Sequence, residues 1–393
     1  MSDWEEYLLE DLADEITVGF VGSMADEYVE KGITFLRSKN VDPHRINLDD
    51  IRYITPEFHQ KLKKSALTPG DVVIVRTGKP GAASIIPDYL TQSNCSDLVI
   101  VRPSSNLDRH FLVYYLNSIA VHYINSYLVG AVQQHFNIGA ARKLKITLPK
   151  IKEQKRIADV LSCVDAKIDN LRRQNETLEE IGRSIFKHWF IDFEFPNADG
   201  KPYKSSGSAM VRSELGDIPE GWRVGNIKNI MTLNYGKSLI AETRIKGKYP
   251  VIGSNGIVDT HNDFFVTAPG IVIGRKGTIG KVIWVEKDFY PIDTTFYIQD
   301  ILGCNGLYFH YFVLKNQNFS RLTSDSAVPG LNRDMAYSVE LVIPIIEQIN
   351  EYNLIAKTVS DKVSNNSNQI QVLTKTRDGI LPKLMSGQLH VKE

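Results

Sequence analysis

The sequence predicts an α+β chain of two pseudo-symmetric β-rich domains, each followed by a long helix. Two observations carry this. The chain is written twice, and each copy closes on an apolar stripe repeating about every 3.5 residues over about four heptads. At 393 residues it is too long for one ordinary core. A content of 42% hydrophobic and 23% charged residues suits packed domains rather than disorder.

The first copy opens on Trp4 and then Leu9-Glu10-Asp11-Leu12. The second opens 218 residues later on Trp222 and then Ile227-Lys228-Asn229-Ile230. Phe35-Leu36-Arg37-Ser38-Lys39-Asn40 answers Pro250-Val251-Ile252-Gly253-Ser254-Asn255, each an apolar strand running into a small polar loop. Pro69 to Gly81 answers Pro269 to Gly280. Both read as a Pro-Gly turn, a β-branched strand and an Arg-x-Gly-x-x-Gly loop. Asn137 and Asn332, and Pro149 and Pro344, stand 195 residues apart. The drift from 218 to 195 places more loop residues in the first copy, and two copies are too few for a solenoid.

The helical stripes follow. Ile157, Leu161, Val164, Ile168, Leu171, Asn175, Leu178, Gly182 and Ile185 answer Tyr352, Ala356, Val359, Val363, Asn366, Ile370, Leu373, Arg377 and Ile380. Two apolar positions in seven is the width of a coiled-coil seam, narrower than that of a helix lying on its own domain. Gly, Pro and Ser in residues 197–208 mark a linker. The expected division is therefore 1–150 for the first β-rich domain, 151–195 for its helix, 196–217 for the linker, 218–345 for the second domain and 346–393 for the last helix.

Several kinds of chemistry are excluded or weakened. Cys95, Cys163 and Cys304 are odd in number and far apart, so neither a zinc site nor a disulfide framework is expected. No Pro-Pro dipeptide exists to build the base-holding loop of an adenine methyltransferase. Gly274 and Gly280 have five residues between them, and Val282 follows Lys281, so the Gly-rich stretch is not a P-loop. His135 and His188 have no partner at metal-ligand spacing. The absence of a long apolar run and of a leader pattern at the acidic N-terminus leads to the expectation of a cytoplasmic chain without membrane spans. The charge balance, 46 cations against 46 anions, argues against indiscriminate nucleic-acid binding and turns attention to where the cations cluster.

The run Phe186-Lys187-His188-Trp189-Phe190-Ile191-Asp192-Phe193-Glu194-Phe195-Pro196, continued by Gly200-Lys201-Pro202-Tyr203 and by Ile218-Pro219-Glu220-Gly221-Trp222, resembles the central region of Type I restriction–modification specificity subunits. The tail Ile380-Leu381-Pro382-Lys383-Leu384-Met385-Ser386-Gly387 resembles that family's C-terminal conserved region. The resemblance covers the whole chain. It implies two target-recognition domains, each reading one half of a bipartite double-stranded DNA site. The two helices would pack as an antiparallel coiled coil and set the spacing. Partners would be two modification (methyltransferase) subunits and the restriction (motor–nuclease) subunits. S-adenosylmethionine, ATP and Mg would belong to those partners, leaving no catalytic, cofactor-binding or metal residue in this chain. The second helix departs in being more polar, with Asn365-Asn366 and Asn368-Gln369. Rival readings are a self-contained DNA methyltransferase or nuclease with an unfamiliar site, and a protein-only adaptor.

A reader of duplex DNA needs cations for phosphates and polar side chains for base edges. The candidates are Arg37, Lys39 and Asn40 in one loop and Arg76, Thr77 and Lys79 in another. In the second copy they are Arg244, Lys246, Lys248, Ser254, Asn255, Arg275, Lys276 and Thr278. Gln133-Gln134-His135-Phe136-Asn137 reads either as base-contacting amides or as a buried turn, the turn being favoured. Phe186, Trp189 and Phe190 read as core or as an interface with a modification subunit. Finally, each seam holds an asparagine. If the helices run antiparallel, the register that faces Asn175 with Asn366 also faces Leu171 with Ile370. A buried polar pair of this kind fixes register; the rival is that both amides point to solvent.

Overall fold

The computed structural model describes residues 4–126, 136–319, 322 and 330–391. It divides into two units, Met1–Leu171 with Asn368–Glu393, and Arg172–Ser367.

In the first unit a four-stranded antiparallel sheet runs in the order Ala83–Ile85, Val72–Val75, Leu98–Pro103, Ala13–Val18. The inner strands are apolar without alternation because both faces are covered. Val72, Ile74, Val99 and Val101 enter one core, while Val73, Val75, Leu98 and Ile100 enter the other. Each such side chain contributes roughly 1.5–3 kcal/mol of burial. A second sheet pairs Ile33–Leu36 with Ser93–Cys95 in parallel. The strand Glu5–Leu8 pairs with Lys145–Leu148.

The second unit repeats this plan. Its sheet runs Val282–Val285, Gly270–Gly274, Thr295–Asp300, Met231–Tyr235, the same order and the same antiparallel pairings. Tyr249–Gly253 pairs in parallel with Tyr290–Pro291 as Ile33–Leu36 does with its neighbour. Arg223–Asn226 pairs with Glu340–Ile343. Leu9, Leu12, Ile227 and Ile230, the opening apolar pairs of the two copies, are all buried. Asn137 and Asn332 each cap a short helix, Asn137 accepting from the Ala140 amide and Asn332 from those of Asp334 and Met335. Phe136 is buried beside the first of these caps, whereas Gln133, Gln134 and His135 lie outside the described residues. The extra residues of the first copy include the small hairpin Val41–Asp42 with Arg45–Ile46 and the helix Pro56–Lys61, whereas the strand Arg52–Ile54, antiparallel to Ile33–Leu36, answers Gly256–His261, antiparallel to Tyr249–Gly253. One difference from expectation is that Gly270 opens a strand rather than a turn, while Gly70 keeps a turn conformation at φ 91°.

The long helices are Ile151–Phe190 and Ile346–Met385, 40 residues each against the roughly 35 suggested by the stripe. They run antiparallel. Arg377 Nη1 lies 2.6 Å from Asp165 Oδ1 in the first unit, and in the second the rings of Trp189 and Tyr352 pack at a tilt of 56° with centroids 6.0 Å apart. Every position of both stripes is buried or half-buried. The two readings of the stripe each hold for part of it. The outer turns are domain core: Ile157, Ala158 and Leu161 with Leu381, Leu384 and Met385 in the first unit, and Phe186 with Ile349, Tyr352 and Ala356 in the second. Between them the helices form a seam.

Within the second unit Asn366 is fully buried and donates from Nδ2 to Asn175 Oδ1 at 2.9 Å. Asn175 Nδ2 donates in turn to Ser367 Oγ at 3.2 Å. Replacing Asn366 by Leu should leave Asn175 without its buried partner and cost about 1–3 kcal/mol, read as a shift in the urea midpoint. Asn175→Leu with Asn366→Leu should recover most of that loss, since both amides are then gone. A single variant as stable as the parent would show that the pair carries no weight.

In the first unit the hairpin tip His44 stacks on Tyr114, ring centroids 4.7 Å apart. Burial pushes its imidazole down to about 4, with Asp165 and Asp378 opposing and Arg377 assisting. The unfolded chain takes up this proton near 6.5 and the folded chain only near 4, so stability is fully present above pH 6.5 and falls as pH drops toward 4. Thermal melts at pH 7 and pH 5 should show a drop in the parent that is smaller in His44→Asn.

Candidate nucleic-acid interface

The Arg-x-Gly-x-x-Gly loops are hairpin connections with one shared geometry. Gly78 and Gly81 have φ of 90° and 91°, and Gly277 and Gly280 have 77° and 76°, a region that side chains disfavour. Gly81 N donates to Val75 O at 2.9 Å, and Gly280 N donates to Gly274 O at 2.8 Å. The glycines therefore serve the turn, and the cations ride on it. The carbonyl after the strand also holds the next segment: Phe136 N donates to Arg76 O at 3.1 Å and Leu331 N to Arg275 O at 2.8 Å.

In the first unit the fold brings the two candidate loops together. Ser38 Oγ and Arg76 N both donate to the Asp97 carbonyl at 3.2 Å. Arg37, Lys39 and Arg52 surround the single carboxylate of Asp50; Arg37 and Arg52 lie 3.4 and 3.5 Å from it, and Lys39 makes a closer ion pair. Three cations on one anion leave a positive excess. Burial lowers the Arg37 guanidinium, Tyr28 opposes and Arg52 adds to the lowering. Arg76 lies 3.8 Å from Asp97, exposed Lys79 lies 3.0 Å from Asp42, and Thr77 is half-exposed. Asn40 is a correction. It is fully buried, accepts from the Arg37 amide at 3.0 Å and donates to the carbonyls of Asn47 and Asp49 at 3.1 and 3.2 Å. Its amide is consumed in shaping the loop and does not face a ligand.

In the second unit the Ser254-Asn255 turn also meets the glycine loop, since Lys281 Nζ donates to Asn255 O and Oδ1 at 2.9 and 2.8 Å. Ser254 is half-buried, while Asn255, Lys276, Thr278, Lys246 and Lys248 are exposed. Arg244 is a second correction. Its guanidinium donates to Leu239 O at 3.3 and 3.1 Å and lies 3.6 Å from Asp259, so it clamps its own turn. Arg275 lies 4.9 Å from the centroid of the exposed Tyr235 ring, and Arg333 lies 5.0 Å from the same centroid. Two guanidiniums on one ring keep their planes ordered and partly dehydrated.

Sequence reading missed Arg52, Asp50 and Tyr28 in the first unit, and Tyr235 and Arg333 in the second. Arg333 had a signal, since it follows the repeat landmark Asn332. Tyr235 had none, because its partners come from strands and loops far along the chain. Phe186, Trp189 and Phe190 are corrected from interface candidates to core. They are 4%, 7% and 8% exposed and pack on Phe309, Trp222 and Tyr352.

One buried polar cluster stands apart. His310 is fully buried, with Nε2 3.0 Å from Asp300 Oδ1 and 3.1 Å from Ile230 O, and Cys304 Sγ lies 3.8 Å from Asp300 Oδ1. The three donor atoms lie within 4.8 Å of one another. Asp300 also accepts amides from Leu302, Gly303 and Cys304 at 2.8–2.9 Å, which makes it the anchor of its turn. Burial opposes its charge, yet His310 and these amides hold its carboxyl down to about 2. Among the described residues no helix is long and apolar enough to cross a membrane.

A β-rich domain is built twice, with a cationic glycine hairpin on each copy and a long helix after it. The family model for the Type I restriction modification DNA specificity domain matches residues 1–180 and 219–375, so the chain belongs to this family. It is 24% identical to the Type I restriction enzyme MjaIX specificity subunit of Methanocaldococcus jannaschii, over 100% of this chain and 94% of that protein. It is 21% identical to the HindI specificity subunit of Haemophilus influenzae, over 99% and 100%. The crystal structure of a Type I restriction–modification S subunit from M. genitalium superposes with a TM-score of 0.62 at 17% identity, covering 98% of this chain and 96% of that one.

Tyr235→Leu should loosen Arg275 and Arg333 and weaken duplex DNA binding about two- to fivefold, measured by fluorescence anisotropy at fixed salt. Unchanged affinity would remove the arginine–tyrosine pile from the interface.

Proposed function

We propose that the chain is the DNA-reading subunit of a Type I restriction–modification complex and performs no chemistry itself. Each β-rich domain reads one half of a bipartite duplex site. The helices set the spacer and offer a docking surface for two modification subunits, and restriction subunits complete the assembly. S-adenosylmethionine, ATP and Mg act in those partners. The observation that carries this reading is the same Arg-x-Gly-x-x-Gly hairpin appearing in both units, with Arg76 and Lys79 on one and Arg275 and Lys276 on the other. Duplicated sites on one chain suit two half-sites rather than one active centre. Helices of 40 residues are about 60 Å long at 1.5 Å per residue. That exceeds one DNA turn of about 34–36 Å.

The test is methylation mapping with the partner subunits present. The assembled enzyme should methylate adenine at a two-part site, and the isolated chain should retain no labelled S-adenosylmethionine. Arg275→Ala or Lys276→Ala should relax or weaken one half-site only, with binding that falls steeply with salt as phosphate contacts release counterions. Equal loss at both half-sites would refute the division of labour between the units.

A further inference from the structure

The second unit holds a cavity of about 280 Å³ between its parts of the two long helices and its own α/β core. Its walls are Trp284, Tyr308, Tyr311 and Phe312 from the domain, and Glu179, Gly182 and Ser360 among the helix residues. Trp284 stacks on Tyr308 with centroids 4.4 Å apart and meets Tyr311 edge-on at 5.8 Å.

The repeat shows what the same place contains in the first unit. At the 195-residue offset, Gly182 answers Arg377 and Ser360 answers Asp165. In the first unit Arg377 Nη1 lies 2.6 Å from Asp165 Oδ1, the Tyr114 hydroxyl donates to Asp165 Oδ2 at 2.5 Å, and His44 stacks on Tyr114. A guanidinium and an imidazole thus fill that position, one from a helix and one from the hairpin Val41–Ile46. The second unit has replaced both members of the ion pair with small residues, and its strand Tyr249–Gly253 turns directly into Gly256–His261 with no such hairpin. Trp284 lines the space where the first unit has Ile85.

The remaining groups favour a cation. Glu179 has no hydrogen bond or ion pair among the described residues, and its charge helps burial push the Tyr311 hydroxyl up to about 12. Glu286 accepts the Ser364 hydroxyl at 2.7 Å and keeps a second oxygen. Of the two lining cations, Arg183 lies 3.2 Å from Glu180, and Lys315 lies 5.5 Å from the ring centroid of the wall residue Tyr311. Carboxylates beside Trp and Tyr faces are the setting in which a planar guanidinium outcompetes a lysine ammonium.

We propose that this cavity is a socket for an arginine side chain supplied by a protein partner lying along the helix pair, doing in trans what Arg377 does within the first unit. The proposal rests on the reading of the helix pair as a docking surface. It makes the two ends of the chain unequal, one self-closed and one completed on assembly.

The probe is N-acetyl-arginine methylamide, with the lysine analogue as control, followed by NMR at the Trp284 indole of the full chain. The arginine probe should shift Trp284 saturably, with the lysine analogue at least about tenfold weaker. Glu179→Gln, an exposed change, should weaken the arginine probe several-fold. Gly182→Arg with Ser360→Asp installs the pair seen in the first unit and should abolish the shift while the chain still melts cooperatively. The same double variant should weaken assembly with the modification subunit in sedimentation. No shift in the parent, or equal response to both probes, overturns the socket. A specific shift with assembly unaltered in the double variant would make the ligand a free guanidinium solute, overturning the partner claim while docking stands. Failure of the parent chain to assemble at all would instead remove the docking reading and the partner claim with it.

Discussion

The first unit closes its core only when the end of the chain returns to it. Leu9, Leu12, Phe111 and Ile157 pack in one cluster with Leu381, Leu384 and Met385, residues contributed from the other end of the chain. Neither long helix could serve both units if it stopped at its own domain. Each helix has to run on after leaving one core, and the second has to run antiparallel to the first. This constraint accounts for the narrow stripe in the middle of each helix and the wider burial at its ends. It also accounts for a helix that is polar on its solvent side and stable through tertiary packing rather than through propensity.

Antiparallel helices with small, similar seam residues could slide by a heptad. The Asn366–Asn175 hydrogen bond, with Asn366 fully buried, opposes this. A slip would set each amide against an aliphatic side chain and leave it unsatisfied, at about 1–3 kcal/mol apiece. Fixing the register fixes the length of helix available on either side.

The duplication has been treated differently in its two copies. The sheet order, the parallel strand pair, the asparagine caps and the glycine loops are the same in both. These are backbone requirements, and any copy that lost them would not fold. The side chains placed on that backbone diverge. The first unit gathers Arg37, Lys39 and Arg52 around Asp50, whereas the second sets Arg275 and Arg333 on Tyr235.

The sequence by itself determined the duplication, the two long helices and the asparagines at the seam. All of these rest on local periodicity or on residues with special backbone needs, and such signals survive in one dimension. It also showed cations on the Arg-x-Gly-x-x-Gly loops. It could not say which polar side chains the loops consume. Asn40 and Arg244 have the composition of DNA contacts but are tied to carbonyls within their own turns. Phe186, Trp189 and Phe190 have the composition of an interface but complete a core. Tyr235 acquires its role only when Arg275 and Arg333 arrive from distant segments. Whether a polar or aromatic side chain is available depends on what the folded chain packs against it. That is a matter of three-dimensional neighbours, which spacing along the chain does not encode.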